Sequence, residues 1–296
     1  MTVGYLASKG FLRELQHELG AEGEVHGDLV LLEGLEKPAA WATNIWHDPV
    51  RLPITSIGDG VKQLRAIQRN WALYPLAHHR RAALITEQLP KVSSKPIAFG
   101  TPAPKAPLGS WMLIERDVIL ASPHCSSAFA NGEVHFIEDR LAPPSRAYLK
   151  LWELFTLIDG RPKAGDLCLD LGASPGGWSW VLQQLGSRVI SVDKAALDPR
   201  IMNLPNIEFR QESAFALDPK AVGPVNWLFS DVVCYPKRLL VLVRKWLEAG
   251  TVQRFACTIK FQGETDFETM QEFASIPESR LMHLSHNKHE LTWVKL

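Results

Sequence analysis

Two hydrophobic rhythms divide this chain of 296 residues near position 140. The opening predicts a strand over 2–8, an amphipathic helix over 9–20 and a strand over 28–34. Phe11, Leu12, Leu15 and Leu19 recur at helical spacing, and Gly20 ends that pattern. A second helix is expected over Ile57–Tyr74. Prolines, serines and three lysines crowd Lys91–Leu108, which predicts a loop or linker, and strands are expected over Trp111–Ala121 and Gly132–Glu138.

From Pro143 onward the rhythm changes. Short apolar runs stand at Leu167–Leu171, Val189–Val192, Ile207–Arg210, Trp227–Ser230, Phe255–Ile259, Arg280–Leu284 and Leu291–Val294. They alternate with helical segments over Ser145–Ile158, Gly176–Leu185, Lys237–Glu248 and Phe267–Ala274. Alternation of this kind predicts a mostly parallel sheet covered by helices on both faces. The expected organisation is therefore a smaller α+β domain over 1–140, with its linker, followed by an α/β domain over 141–296.

Composition narrows the class. A hydrophobic fraction of 46% and a charged fraction of 22% are ordinary for a soluble globular protein. No apolar run is long enough to span a bilayer. Lys9, Arg13, Glu14 and Glu18 come too early for a signal-peptide core. Cys125, Cys168, Cys234 and Cys257 are widely spaced with no CxxC pair, so a reducing cytoplasm is expected rather than a disulfide framework or a zinc site.

Net charge is zero, but its distribution is uneven. Residues 1–50 hold 3 Lys/Arg against 8 Asp/Glu, residues 51–105 hold 9 against 2, and residues 106–140 hold 2 against 5. One basic segment between two acidic ones suits a surface that meets phosphates. Arg65, Arg69, Arg80 and Arg81, interleaved with Trp71, Tyr74, His78 and His79, are its candidate RNA contacts.

The densest chemical pattern is Asp170-Leu171-Gly172-Ala173-Ser174-Pro175-Gly176-Gly177-Trp178, between an apolar strand and a helix. Glycines there permit positive φ and close backbone approach, and the helix N-terminus offers N–H groups to a polar ligand. Pro175 is expected in the first helical turn. A dinucleotide fingerprint needs G-x-G-x-x-G, whereas Ser174 and Pro175 occupy the turn here, which favours S-adenosylmethionine over a nicotinamide cofactor. Asp193 ends the next strand, placed to accept the ribose hydroxyls of an adenosyl group, and Glu212, after the third strand, is a candidate for the adenine amino group.

These residues resemble the FtsJ-like RNA ribose 2′-O-methyltransferases over essentially all of 143–296. The resemblance rests on Ser145–Leu151, the Asp170–Trp178 turn, Phe229-Ser230-Asp231, Thr258-Ile259-Lys260 and His289-Glu290-Leu291-Thr292. Lys9-Gly10-Phe11 and Pro123-His124-Cys125 further resemble the RlmM type, which acts on a cytidine of large-subunit ribosomal RNA, although the N-terminal region here is shorter. The resemblance implies a Rossmann-like class I methyltransferase domain, S-adenosylmethionine as cofactor, structured ribosomal RNA as partner, and a catalytic tetrad of Lys150, Asp231, Lys260 and Glu290. Asp231 also stands among the cofactor-binding candidates.

The chemistry gives the tetrad a purpose. A ribose hydroxyl is almost fully protonated near neutral pH and must be aimed along the S–CH₃ bond and relieved of its proton. Lys260 is the candidate for that step, either as a neutral base or as a cation steering the hydroxyl lone pair. Lys150 disfavours charge on Lys260, while Asp231 and Glu290 favour it. Taken singly, Lys150 reads as a solvated helix charge, Asp231 as a strand-end cap and Glu290 as an edge residue. His283, His286 and His289 lack a completing carboxylate or cysteine, so no metal is expected, and they are read as bordering the RNA groove. Two other readings stand beside the enzyme: a catalytically silent RNA-binding protein that keeps the fold, and a nicotinamide-dependent oxidoreductase.

Overall fold

The computed structural model describes residues 1–296 and divides into two compact units, Met1–Phe136 and Ile137–Leu296. No helix is long and apolar enough to cross a membrane.

The first unit runs β1 (Thr2–Ala7), α1 (Leu12–Leu19), β2 (Glu24–His26), β3 (Leu29–Glu33), β4 (Ala42–His47), β5 (Val50–Pro53), α2 (Ile57–Ile67), β6 (Trp71–Leu73), α3 (His79–Gln88), β7 (Gly109–Glu115), β8 (Val118–Ser122) and β9 (His124–Cys125). One sheet has the order β2-β3-β1-β4-β9 and a second β5-β8-β7-β6. Alternation along β7 and β8 explains how two layers form, because side chains at successive positions face opposite ways. Trp111, Leu113, Ile119 and Ala121 pack with Val61, Leu64, Ala82 and Ile85 of α2 and α3. Met112 and Leu120 turn the other way, onto Leu6, Leu29, Leu31 and Trp46 of the first sheet.

Three sequence expectations need correction in this unit. The helix expected over Ile57–Tyr74 stops at Ile67, where Gln68 is already extended, and Trp71 begins β6. The Trp71 indole N–H donates to the Leu64 and Gln68 carbonyls at 3.0 and 3.1 Å, and so occupies at Gln68 an acceptor that another helical turn would have used. Trp111–Ala121 is not one strand but the hairpin β7–β8, turned at Arg116-Asp117. Gly132–Glu138 holds no strand. A 3₁₀ turn covers Ala130–Gly132, and a single bridge joins Phe136 to Ile97.

The second unit follows the expected alternation: α4 (Tyr148–Leu157), β10 (Leu167–Leu171), α5 (Gly177–Gln184), β11 (Arg188–Asp193), α6 (Pro199–Met202), β12 (Ile207–Gln211), α7 (Pro219–Val222), β13 (Val225–Ser230), α8 (Pro236–Ala249), β14 (Val252–Lys260), α9 (Phe267–Ala274), β15 (Ser279–Met282) and β16 (Glu290–Lys295). The seven strands lie in the order β12-β11-β10-β13-β14-β16-β15. The first five are parallel and β16 is antiparallel to both neighbours. This is a Rossmann-like arrangement of the kind the alternation predicts. Strand order reverses between β10 and β13, which opens a crevice beyond their carboxyl ends. Leu169, Leu171, Val192, Leu228, Phe229, Ala256 and Ile259 are wholly or almost wholly buried, as strands covered on both faces require.

Candidate active site

The glycine turn sits at the strand-order reversal. Gly172 has φ +78°, and a Cβ there would lie 2.7 Å from the Val232 Cα, so only glycine lets the two chain segments pass. Gly172 and Ala173 N–H donate to the Val192 carbonyl at 2.9 and 3.2 Å. Ser174 N–H donates to an Asp193 carboxylate oxygen at 3.0 Å, and its hydroxyl to the Ala196 carbonyl at 2.9 Å. Gly176, at φ +114°, is the N-cap of α5 and has no side chain with which to cap it. Pro175 therefore precedes the helix instead of occupying its first turn, and the Ser174–Pro175 peptide is cis.

Two side chains from this motif turn away from solvent. Trp178 is buried, and its indole N–H donates to the Ala147 carbonyl at 2.9 Å, tying α5 to the segment before α4. Asp170 is fully buried and accepts the Ser179 hydroxyl at 2.6 Å, with Ser179 also 2.7 Å from the Ser191 hydroxyl. Its other oxygen has no partner among protein atoms. Burial pushes the Asp170 carboxyl up to about 7; the Ser179 hydrogen bond opposes the rise, and the charges of Asp231 and Asp193 add to it. Asp193, at the end of β11, holds the Ser174 and Ala195 N–H groups at 3.0 and 2.9 Å. Each of its oxygens retains acceptor capacity for a ligand hydroxyl. Glu212 is half-buried just past β12.

Four further side chains converge on the same sheet edge. Asp231 follows β13, Lys260 ends β14, and Glu290 begins β16 directly opposite Lys260 in the ladder. Lys150 comes from α4. Its ammonium lies 2.5 Å from Glu290 and 3.3 Å from Asp231. Lys260 lies 3.1 Å from the same Asp231 oxygen and donates to the Asp231 carbonyl at 2.7 Å. Burial disfavours charge on Lys150, but the combined pull of Asp231 and Glu290 prevails and holds its pKa above the ordinary lysine value. The group is layered. Lys150 and Glu290 are 10% and 9% exposed, Lys260 and Asp231 19% and 18%, so the second pair is the one an incoming molecule meets.

The histidines occupy separate places. His283 meets the Lys288 carbonyl at 3.0 Å, His286 the Glu153 carboxylate at 3.0 Å, and His289 the Thr265 hydroxyl at 2.7 Å. Glu153, on the helix that carries Lys150, is a buried acid that sequence reasoning misses. It is 1% exposed on α4, whose other residues are almost all apolar and buried. An acid inside such a helix is the available signal, because a helix apolar all round is buried. Val233 and Tyr235, just beyond Asp231, are large side chains at 76% and 65% exposure, and no pattern in the sequence marks them.

Of the basic candidates, Arg65 lies on α2 and Arg69 just beyond it, both exposed. Arg80 and Arg81 fall in the first turn of α3, a helix that the apolar spacing does not announce. His78 is its N-cap in left-handed conformation, and no acidic residue in that turn offsets these cations.

Residues 143–265 match the family model described as FtsJ-like methyltransferase. Among curated proteins, the chain is 32% identical over 164 residues to ribosomal RNA large subunit methyltransferase M of Aromatoleum aromaticum, covering 50% of this chain and 44% of that protein. It is 31% identical over 157 residues to the protein of the same description from Halorhodospira halophila, covering 50% and 46%. The match thus spans less than half the length of either relative. Among solved structures, a Plasmodium falciparum protein described as a ribosomal RNA methyltransferase aligns with TM-score 0.37 and 18% identity, over 51% of this chain and 96% of that one.

Proposed function

We propose, taking as premise that the C-terminal unit belongs to the FtsJ-like methyltransferase family, that this protein methylates a ribose 2′-hydroxyl of structured RNA, in large-subunit ribosomal RNA. The observation that carries the reading is the meeting of Lys150, Asp231, Lys260 and Glu290 at the sheet edge that also bears the Gly172 turn. The curated relatives are described as ribosomal RNA methyltransferases, which supports the choice of RNA.

The turn suits S-adenosylmethionine. Close backbone approach at Gly172, the glycine-capped N-terminus of α5 and the Asp193 carboxylate at the end of β11 suit the amino-acid and ribose parts, and Glu212 is the candidate for the adenine amino group. When bound, that cofactor supplies an electrophilic methyl group on a sulfonium that leaves as a neutral thioether.

The protein's own work is to present the ribose oxygen. Lys260 donates a hydrogen bond to the Asp231 carbonyl at 2.7 Å and forms an ion pair with the Asp231 carboxylate at 3.1 Å, so two of its positions face Asp231. Its remaining position is a lone pair in the neutral amine, which takes the hydroxyl proton, or a third N–H in the ammonium, which holds one lone pair of the oxygen so that another faces the methyl group, the hydroxyl proton then passing to water. Lys150 and Glu290 sit behind, fixing Asp231 and hence Lys260. Val233 and Tyr235 supply an apolar ledge beside Asp231 on which an unstacked base can rest.

The first unit would hold the RNA body. Arg80 and Arg81 begin a helix whose dipole opposes cations, so their placement there does not serve stability and suits phosphate binding. Arg65 and Arg69 extend the basic surface.

The test is methyl transfer from labelled S-adenosylmethionine to ribosomal RNA from cells lacking the gene, followed by mapping of ribose methylation. Incorporation at one ribose is expected. RNA binding without incorporation, with S-adenosylhomocysteine bound or not, would favour a silent RNA-binding protein.

A further inference from the structure

We propose that Glu153 is a positioning residue of the methyl-transfer site, setting the loop that delivers Glu290 to Lys150. The inference rests on the tetrad reading and extends it to a residue outside the tetrad.

Glu153 lies three residues after Lys150, so both project from one side of α4. One Glu153 carboxylate oxygen accepts both the Ser285 N–H and the Ser285 hydroxyl at 2.8 Å, and the other meets His286 Nδ1 at 3.0 Å. The imidazole tautomer with its hydrogen on Nδ1 is the one that donates to this oxygen. Lys150 grips the far end of the same loop through Glu290 at 2.5 Å. One helix face therefore holds the β15–β16 connection at two points.

The residues between are tied down as well. Asn287 donates through Nδ2 to the Glu290 carbonyl and the Thr292 hydroxyl, each at 3.2 Å. The Lys288 carbonyl meets His283 at 3.0 Å and accepts the Glu290 N–H at 2.9 Å. The backbone from Ser285 to Glu290 has little freedom while Glu153 holds it.

A buried carboxylate is a poor device for stability alone, because a well-packed apolar side chain commonly serves as well. What it supplies is direction. Three charge-assisted hydrogen bonds fix the path of the chain more narrowly than packing does. Displacing Glu290 would loosen Lys150 and, through Asp231, the alignment of Lys260.

The experiment compares the full-length wild type with Glu153→Ala, Glu153→Gln, His286→Ala and Lys260→Ala. Turnover at saturating RNA and S-adenosylmethionine, S-adenosylhomocysteine affinity by calorimetry and thermal melting are measured for each. Glu153→Ala should lower kcat by about tenfold or more, as small misplacements near reacting groups do, with S-adenosylhomocysteine affinity within about twofold. Glu153→Gln keeps an acceptor for Ser285 and should recover most of the loss. Equal falls in kcat and cofactor affinity would mark a merely structural role and overturn the proposal. So would Glu153→Ala turnover within about twofold of wild type while Lys260→Ala is inactive. An active Lys260→Ala would instead overturn the tetrad reading. If Glu153→Ala does not fold, Glu153→Gln and His286→Ala carry the test: a kcat loss confined to His286→Ala, with melting unchanged, supports the proposal, and full turnover in both variants overturns it.

Discussion

Lys150 and Glu290 face each other at 2.5 Å with only about a tenth of either side chain exposed, and Lys150 also reaches Asp231 at 3.3 Å. A buried pair of this kind is costly to break and of small net benefit to keep. Lys150→Met should destabilise the protein by about 3–5 kcal/mol, because Glu290 is left buried and unpaired. Lys150→Met combined with Glu290→Leu should regain most of that stability yet remain inactive. Denaturant unfolding and methyl-transfer assays read the two effects separately. A double variant as unstable as the single one would contradict this account.

Lys260→Ala should reduce turnover by roughly 10²–10⁴-fold, the usual scale for a positioned proton-transfer group, with S-adenosylhomocysteine affinity unchanged by calorimetry. Lys260→Arg then separates the two mechanisms. Arginine stays charged, so it keeps partial activity if a cation steers the oxygen and none if a neutral amine takes the proton.

Asp170 predicts a pH dependence of stability. Its carboxyl rises from an ordinary value of 3.8 to about 7 in the folded protein. The native state therefore keeps a proton that the unfolded chain gives up, and this contribution is full below about pH 4 and lost as pH rises to about 7. Asp170→Asn removes the titration while keeping an acceptor for Ser179. Relative to wild type, the variant should gain stability on going from pH 4 to pH 8, by on the order of 4 kcal/mol. Parallel stability–pH curves for the two proteins would count against a raised Asp170.

Asp193→Ala frees the Ser174 and Ala195 N–H groups and removes the candidate ribose acceptor. Cofactor affinity should fall by about tenfold or more, the scale of one charged hydrogen bond, with little change in melting temperature. Asp193→Asn keeps one acceptor oxygen and should lose less.

Changing Arg80 and Arg81 to Ala should weaken RNA binding and flatten its dependence on salt, by about 0.7–0.9 in log–log slope for each phosphate no longer neutralised. An unchanged slope would remove both residues from the interface.

Much of the second unit is legible in the sequence because its signals are local. Each run from Leu167 to Val294 is a short apolar strand, and Gly172, Asp193, Asp231 and Lys260 stand at or just past strand ends, where the geometry of a parallel sheet gathers them. What escapes a sequence reading is what depends on partners distant along the chain. Trp71 and Tyr74 continue a helical spacing, yet Trp71 is drawn into a sheet beside Gly109 and closes the helix whose pattern it prolongs. The β7–β8 turn at Arg116-Asp117 contains no glycine or asparagine to announce a hairpin. Asp170 and Trp178 sit inside the glycine motif, but their side chains serve the core below it. Glu153 differs from any other helix acid only through Ser285 and His286, which the fold brings beside it from more than 130 positions away.

The ladder between β14 and β16 pairs Lys260 with Glu290 and, three places along, Cys257 with Trp293. Trp293 is wholly buried between Phe255 and Phe273, and its indole N–H reaches the Phe273 carbonyl at 3.2 Å. Strand side chains alternate in direction, so a slip by one residue would pull the indole out of that aromatic nest and swing Glu290 to the opposite surface of the sheet. The greasy end of the hairpin thus acts as the ruler for its charged end. Reshaping the indole's surroundings, far from any reacting atom, would be felt as misaligned charge.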